Sequence, residues 1–116
     1  MSYSSQLAAP GSDVVNALLD TLMHDPNVNV RLATVDALRR FADRDGPQAD
    51  TVRRGTMQAL PQQTSPLVQV ALIDFAVETG SRESVGALRG LATNTMVDAT
   101  VRARAERGLQ QLGAQL

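Results

Sequence analysis

Hydrophobic residues recur every three or four positions along most of the 116-residue chain, in short segments that turn residues separate. This period is typical of helices that bury one face, because an α-helix completes a turn about every 3.6 residues. The breaks between the segments contain Pro, Gly, Asn or Asp and fall at 10–11, 25–26, 46–47, 61–66, 80–81 and 94–95. The pattern therefore predicts an all-α fold of six helices joined by short turns.

The stretch DPNVNVRLATVDAL, residues 25–38, is ambiguous at its start. Asn27 to Leu32 alternate polar and apolar residues, as a half-buried strand does. The alternation then gives way to adjacent apolar pairs, so the length of the pattern favours a helix over 27–42. We expect Val30 to be its first buried contact. The predicted apolar rows are Val30, Ala33, Ala37 and Phe41, and beside them Val35, Leu38 and Ala42.

Several helix ends carry residues that satisfy or terminate the backbone hydrogen bonding of a helix. Candidate N-caps precede the first, fourth and fifth helices: Ser12 or Asp13, Ser65, and Ser81. Gly80 is a natural C-terminal stop for the fourth helix. The third helix is predicted although Gly55 lies inside it, where glycine lowers helix propensity.

The even-numbered helices contain the same short pattern at a regular interval. Residues 30–33 align with 68–71, an interval of 38 residues, and residues 30–31 also align with 101–102. Such an interval is typical of repeat proteins, in which each helical pair stacks on the next. The chain is therefore predicted to contain three stacked helical pairs.

Residues 25–38 resemble the HEAT repeat family, whose second helix follows an Asp-containing turn and opens with a Val-Arg pair before Ala and Leu. The resemblance covers about residues 12–113 and implies a short right-handed α-solenoid. Its three implied hairpins are 12–45, 46–80 and 81–113. The sequence departs from the family pattern at Gln69, where the family favours Arg, and at Met96, where a turn Asp is expected. Residues 1–11 are then either a tail or the remnant of a preceding repeat.

Residues 24–43 and 65–75 are also similar to C-terminal HEAT regions of bacterial membrane-anchored regulators that resemble anti-sigma factors. This similarity implies that the chain is part of a longer regulator, either cytoplasmic or periplasmic. The chain contains neither the Cys and His ligands of the small zinc domain in such regulators nor an apolar run that could span a membrane.

Composition narrows the range of functions. The chain has no Cys, which excludes disulfides and thiolate metal sites. Its net charge is −1 and its aromatic content is 3%, so it offers nucleic acid neither a positive field nor a stacking platform. These properties argue against nucleic-acid binding and predict an aliphatic core.

Charged residues around the first turn allow a structural and a chemical interpretation. Asp25 can accept hydrogen bonds from backbone amides ahead of the second helix, and Arg31 can reach an acidic group on its own or the next repeat. His24 lies beside Asp20 and Asp25, but one imidazole and two carboxylates are fewer ligands than metal sites usually bring together. The structural interpretation is favoured in each case.

Known catalytic and metal-binding motifs are missing from the sequence. Asp43, Asp45 and Asp50 flank a Gly-Pro turn without the alternating spacing and final Glu of a calcium loop. The sequence has no phosphate loop, nucleophile elbow or His-Glu motif. It therefore predicts no catalytic residue, no cofactor and no metal.

The leading hypothesis is a surface that binds another protein. In stacked helical pairs the second helix usually lines the concave face, so the candidates are polar positions of helices 2, 4 and 6. They are Asp36, Arg39, Arg40, Gln69, Asp74, Glu78, Arg104 and Arg107. Asp36 and Arg40 are expected to form an i,i+4 ion pair. The alternatives are a structural spacer that self-associates through the helix 1 end, residues 7–22, or a nucleic-acid-binding HEAT domain.

Overall fold

The computed structural model describes residues 11–42, 46–80, 82 and 84–113. Over these residues six α-helices follow one another, and none of the residues is in a β-strand. The helices are α1 Ser12–His24, α2 Val28–Arg39, α3 Ala49–Ala59, α4 Pro66–Thr79, α5 Ser84–Thr93 and α6 Ala99–Gly113, with a 3₁₀ turn at Leu60–Gln62. The predicted all-α class is confirmed. The tail or repeat remnant predicted for 1–11 lies outside the described residues except for Gly11, and the predicted Ser81 cap lies outside them too.

The ambiguous stretch at 25–38 is a turn followed by a helix. The Asp25 carboxylate accepts a hydrogen bond from the Asn27 backbone amide at 2.8 Å, as predicted for a residue ahead of this helix. The Asn27 side chain then caps α2 by accepting from the amides of Asn29, at 2.9 Å, and Val30, at 3.3 Å. These bonds satisfy amides that have no partner inside the helix. The prediction of a helix rather than a strand is confirmed.

Other helix ends follow the local signals with two differences. α4 begins at its proline and ends before Gly80, whose φ of 62° is a left-handed conformation that glycine adopts without strain. Ser65 occupies the predicted N-cap position of α4, but its hydroxyl makes no capping hydrogen bond. The N-cap of α1 is Gly11, and neither Ser12 nor Asp13 takes that position.

Each helix contacts one that is adjacent to it in the sequence, and helices two positions apart also contact each other. α1 packs on α2, α3 on α4 and α5 on α6, so each pair consists of helices adjacent in the sequence. α4 also packs between α2 and α6, while α3 contacts α1 and α5. The central helix α4 therefore holds neighbours on both sides as well as its own pair partner.

The core is mainly aliphatic, and its largest fully buried side chain is Phe75 of α4, which is 1% exposed. α4 is buried around much of its circumference because it has neighbours on several sides. Val68, Leu72, Phe75 and Ala76 of α4 are fully buried, and Ala71 is half-buried. On α6, Val101, Ala105 and Leu112 are buried as well, and Leu109 is half-buried. The aliphatic core expected from composition is confirmed.

The buried face of α2 differs from the prediction. Val30 is 38% exposed and Ala33 is exposed, whereas Ala37 and Phe41 of the same predicted row are half-buried. Val35 and Leu38, from the second row, are fully buried. α2 packs against both α1 and α4. The side of α2 that faces them carries Leu32, Val35 and Leu38, and Val30 lies outside this contact.

Gly55 marks the close approach of α1 to α3. A Cβ at this position would lie 2.5 Å from Cδ1 and 2.7 Å from Cδ2 of Leu19. Leu19 therefore occupies the space that a side chain at position 55 would need. Glycine lowers helix propensity by about 1 kcal/mol relative to alanine, but here it allows α1 and α3 to pack closely.

Candidate protein-binding surface

Two acidic side chains of the central helix α4, Asp74 and Glu78, lie one helical turn apart and are each held by an arginine of a neighbouring helix. Arg104 of α6 donates two hydrogen bonds to the Asp74 carboxylate, from Nε at 2.9 Å and from Nη2 at 2.8 Å. The hydrogen bonds to Asp74, and then the charge of its carboxylate, raise the pKa of Arg104. The arginine fork fits the two carboxylate oxygens, so this pair joins α6 to α4 in a defined geometry.

The second pair joins α4 to α2. Arg39 donates from Nη1 to both carboxylate oxygens of Glu78, at 2.5 and 2.8 Å. Its Nε lies 3.5 Å from Oδ1 of Asp36, and its guanidinium carbon is 6.0 Å from the centre of the Phe75 ring. Arg39 thus links an acid of its own helix, an acid of α4 and the edge of the core. The predicted Asp36–Arg40 pair is wrong, because Asp36 pairs with Arg39 instead.

These pairs remain partly open to solvent, and ion pairs of that kind typically contribute about 0–1 kcal/mol each to stability. Arg40 and Arg107 are exposed beside them. Arg107 lines a depression of about 240 Å³ between α4 and α6, together with Asp74, Val77 and Arg104. We call the following residues the charged face: Asp36, Arg39, Arg40, Asp74, Glu78, Arg104 and Arg107. The charges of this surface are therefore expected to contribute little to the stability of the fold.

Gln69, the eighth predicted surface residue, does not belong to the charged face. It is only 6% exposed, and its Nε2 donates to the backbone carbonyl of Gln63 at 2.9 Å. The expectation that Gln69 is exposed is therefore wrong. The physical reason is its position at the start of α4, where its side chain folds back onto the turn that precedes the helix.

The turn between α3 and α4 also holds the partner of Arg31. Arg31 Nη1 donates to Gln63 Oε1 at 2.8 Å, so Arg31 reaches the next helical pair as predicted, but it meets an amide instead of an acid. Gln63 Nε2 in turn donates to the Leu22 carbonyl at 3.1 Å. Sequence reasoning missed Gln63, because a single glutamine in a polar turn carries no pattern that would distinguish it.

The three aligned positions 31, 69 and 102 perform related tasks. Each side chain donates to a turn between paired helices: Arg31 and Gln69 to Gln63, and Arg102 Nη1 to the Thr95 carbonyl at 3.1 Å. Arg31 reaches the turn of the following helices, whereas Gln69 and Arg102 reach the turn directly before their own helix, so the aligned positions are all donors but differ in their target.

The remaining candidates for chemistry stand apart from the charged face. His24 Nδ1 lies 3.0 Å from Oδ1 of Asp20, and both side chains are exposed. Across the described part of the chain no three His, Cys, Asp or Glu side chains cluster as metal ligands would. Asp50 is exposed and bonds to Arg53, while Asp43 and Asp45 lie outside the described residues.

Among the described residues no helix combines the length and apolar character that a membrane crossing needs. On α1, Val14 is 51% exposed and Met23 is also exposed, so part of the outer side of this helix is apolar. Comparison with protein-family models, with curated proteins and with solved structures gives no match in any of the three.

Proposed function

We propose that this chain is a non-catalytic module that binds another protein through the charged face. The observation that carries the proposal is the arrangement of α4, whose half-buried Asp74 and exposed Glu78 are paired with arginines from the helices on both sides. Three helices thereby contribute to one surface, and its side chains are already ordered before a partner arrives. Preorganised side chains lower the entropic cost of association.

The chemistry of the charged face favours a protein as its partner. Four arginines and three carboxylates alternate across α2, α4 and α6, so the surface has no large excess of either sign. Nucleic acid requires a positive field, whereas a protein surface can match alternating charges with its own. Arginine is also enriched where proteins meet.

The proposal includes the architecture expected from the resemblance to HEAT repeats, a short right-handed solenoid of three hairpins. It is supported by the side-by-side packing of α2, α4 and α6 and by the hydrogen bonds that positions 31, 69 and 102 each donate to a turn. In such an array the even-numbered helices line one long surface that suits an extended partner.

Reversing two exposed charges tests the proposed function. The double variant Arg40→Glu, Arg107→Glu should retain the melting temperature of the wild type within about 2 °C, because exposed substitutions change stability little. It should lose at least about tenfold in affinity for the partner that the wild-type chain captures from its host cell, since like charges then face each other across the interface. Affinity measured by biolayer interferometry with the captured partner checks this.

Arg54→Glu provides the matched control, because Arg54 is exposed on α3, away from α2 and α6. This variant should bind the partner as the wild type does. Equal loss of affinity in the control and the double variant would show a non-specific charge effect. Unchanged affinity in the double variant would remove the charged face as the binding surface.

A structural spacer is the second candidate, and the exposed apolar residues Val14 and Met23 of α1 favour it. Exposed apolar side chains on one side of a helix suit contact with a further repeat or a second copy of the chain. Self-association through the helix 1 end stays a prediction.

A further inference from the structure

A cleft of about 630 Å³ opens between two successive turns of the helical array. One wall is the turn that joins α3 to α4, and the other is the turn 94–98 that joins α5 to α6, with α5 beneath them. We call this space the turn cleft. It is separate from the charged face, because none of the residues of that face lines it.

The corresponding place between the first and second turns is occupied by a side chain of the protein itself. Arg31 runs from α2 to the second turn, where its Nη1 donates to Gln63 Oε1 at 2.8 Å. Its Nε is buried and has no hydrogen-bond acceptor among the described residues. We call the space between two successive turns a joint. The first joint is therefore filled by the Arg31 guanidinium and its aliphatic stem.

The second joint has no such filler. The position aligned with Arg31 is Gln69, which is shorter and donates to the Gln63 carbonyl of its own turn. Its side chain is therefore committed to the second turn and does not cross to the third. The opening between the second and third turns thus coincides with Gln at the position aligned with Arg31.

The lining of the turn cleft suits a guanidinium. Asp98 supplies a carboxylate, Asn94 and the buried Gln69 supply amide oxygens, and no basic residue is among the described residues that line it. Asp98 Oδ1 accepts from the Thr100 amide at 2.8 Å, and a carboxylate has capacity for further donors. Leu91 and Met96 add apolar surface against which an arginine stem can pack.

We propose that the turn cleft binds an arginine side chain presented by a partner protein. The incoming guanidinium takes the place in the second joint that Arg31 fills in the first. Its planar set of N–H donors faces the carboxylate of Asp98 and the amide oxygens of Asn94 and Gln69. The turn cleft shares no residue with the charged face, so arginine binding in the cleft can be tested independently of the proposed function.

A titration of the full chain with N-acetyl-arginine amide, followed by ¹⁵N–¹H NMR, tests the proposal. We expect saturable shifts at the backbone amides of Gly86, Gly90 and Met96, which line the cleft. The citrulline analogue, which has the same shape without the charge, should bind at least about tenfold more weakly, since a charge-assisted hydrogen bond is worth about that factor. Equal shifts with both compounds, or none at these amides, would overturn the site.

Two variants make the test specific. Gln69→Arg places a guanidinium in the second joint from within the chain and should abolish the arginine-dependent shifts. Asp98→Asn keeps a side chain able to cap α6 and should weaken arginine binding by about tenfold. The double variant Arg40→Glu, Arg107→Glu should bind the arginine compound normally. Full arginine binding by folded Gln69→Arg and Asp98→Asn proteins would contradict the proposal.

Discussion

The variant Phe75→Ala should lower the free energy of unfolding by about 4 kcal/mol, the largest effect expected for a single substitution in this chain. Phe75 is 1% exposed at the centre of α4, the helix that packs against α2, α3 and α6. Truncation removes the ring from the core and leaves a cavity that these helices close only in part. Arg39 also loses the ring beneath its guanidinium. Urea denaturation followed by circular dichroism measures the change.

Leu67→Ala is the matched control, because Leu67 lies on the same helix and is 64% exposed. Its substitution should change the unfolding free energy by less than about 0.5 kcal/mol. If Phe75→Ala cost no more than Leu67→Ala, α4 would not be the centre of the core, and the packing described above would be wrong.

The variant Gln63→Leu should lower the free energy of unfolding by about 3 kcal/mol. Gln63 is 4% exposed and uses its side chain twice, accepting from Arg31 and donating to the Leu22 carbonyl. Leucine fills a similar volume but leaves a guanidinium without its acceptor and a carbonyl without its donor. Each buried group left without a partner costs about 1–3 kcal/mol. Chemical denaturation again provides the measurement.

A double-mutant cycle separates the Arg31–Gln63 bond from other effects. Arg31→Met keeps an unbranched stem and removes the charge. Combined with Gln63→Leu, it should cost about 1–2 kcal/mol less than the sum of the single variants, because the second substitution removes a group that the first left unpaired. Additivity within about 0.3 kcal/mol would mean that the two side chains do not brace the joint together.

Much of the fold could be predicted from the sequence, because its signals are local. The capping residues at 25–27 and the glycine at position 80 affect only the few residues around them, and α2 begins and α4 ends at these points. The exposure of Val30 could not be predicted in this way. α2 carries two overlapping apolar stripes, and the choice between them depends on where α1 and α4 lie.

The sequence could predict which residues form the candidate surface, but it could not predict which of them pair with each other. Asp74, Glu78, Arg39 and Arg104 were chosen for their repeat positions, and the structure joins them in pairs. Their partners lie on different helices, so only the tertiary packing could reveal the pairing. Gln69 is a different case, because it was chosen on the same grounds and its side chain is buried against the turn before α4.

Site-specific photo-cross-linking in the host cell tests the binding role of the charged face most directly. A photoreactive benzoyl-phenylalanine is introduced in separate experiments at the positions of Arg40, Arg107 and Arg54, all exposed. The proposed function predicts that positions 40 and 107, on opposite sides of α4, cross-link to the same protein and that position 54 does not. A cross-link at position 54 alone, or none at 40 and 107, would contradict it.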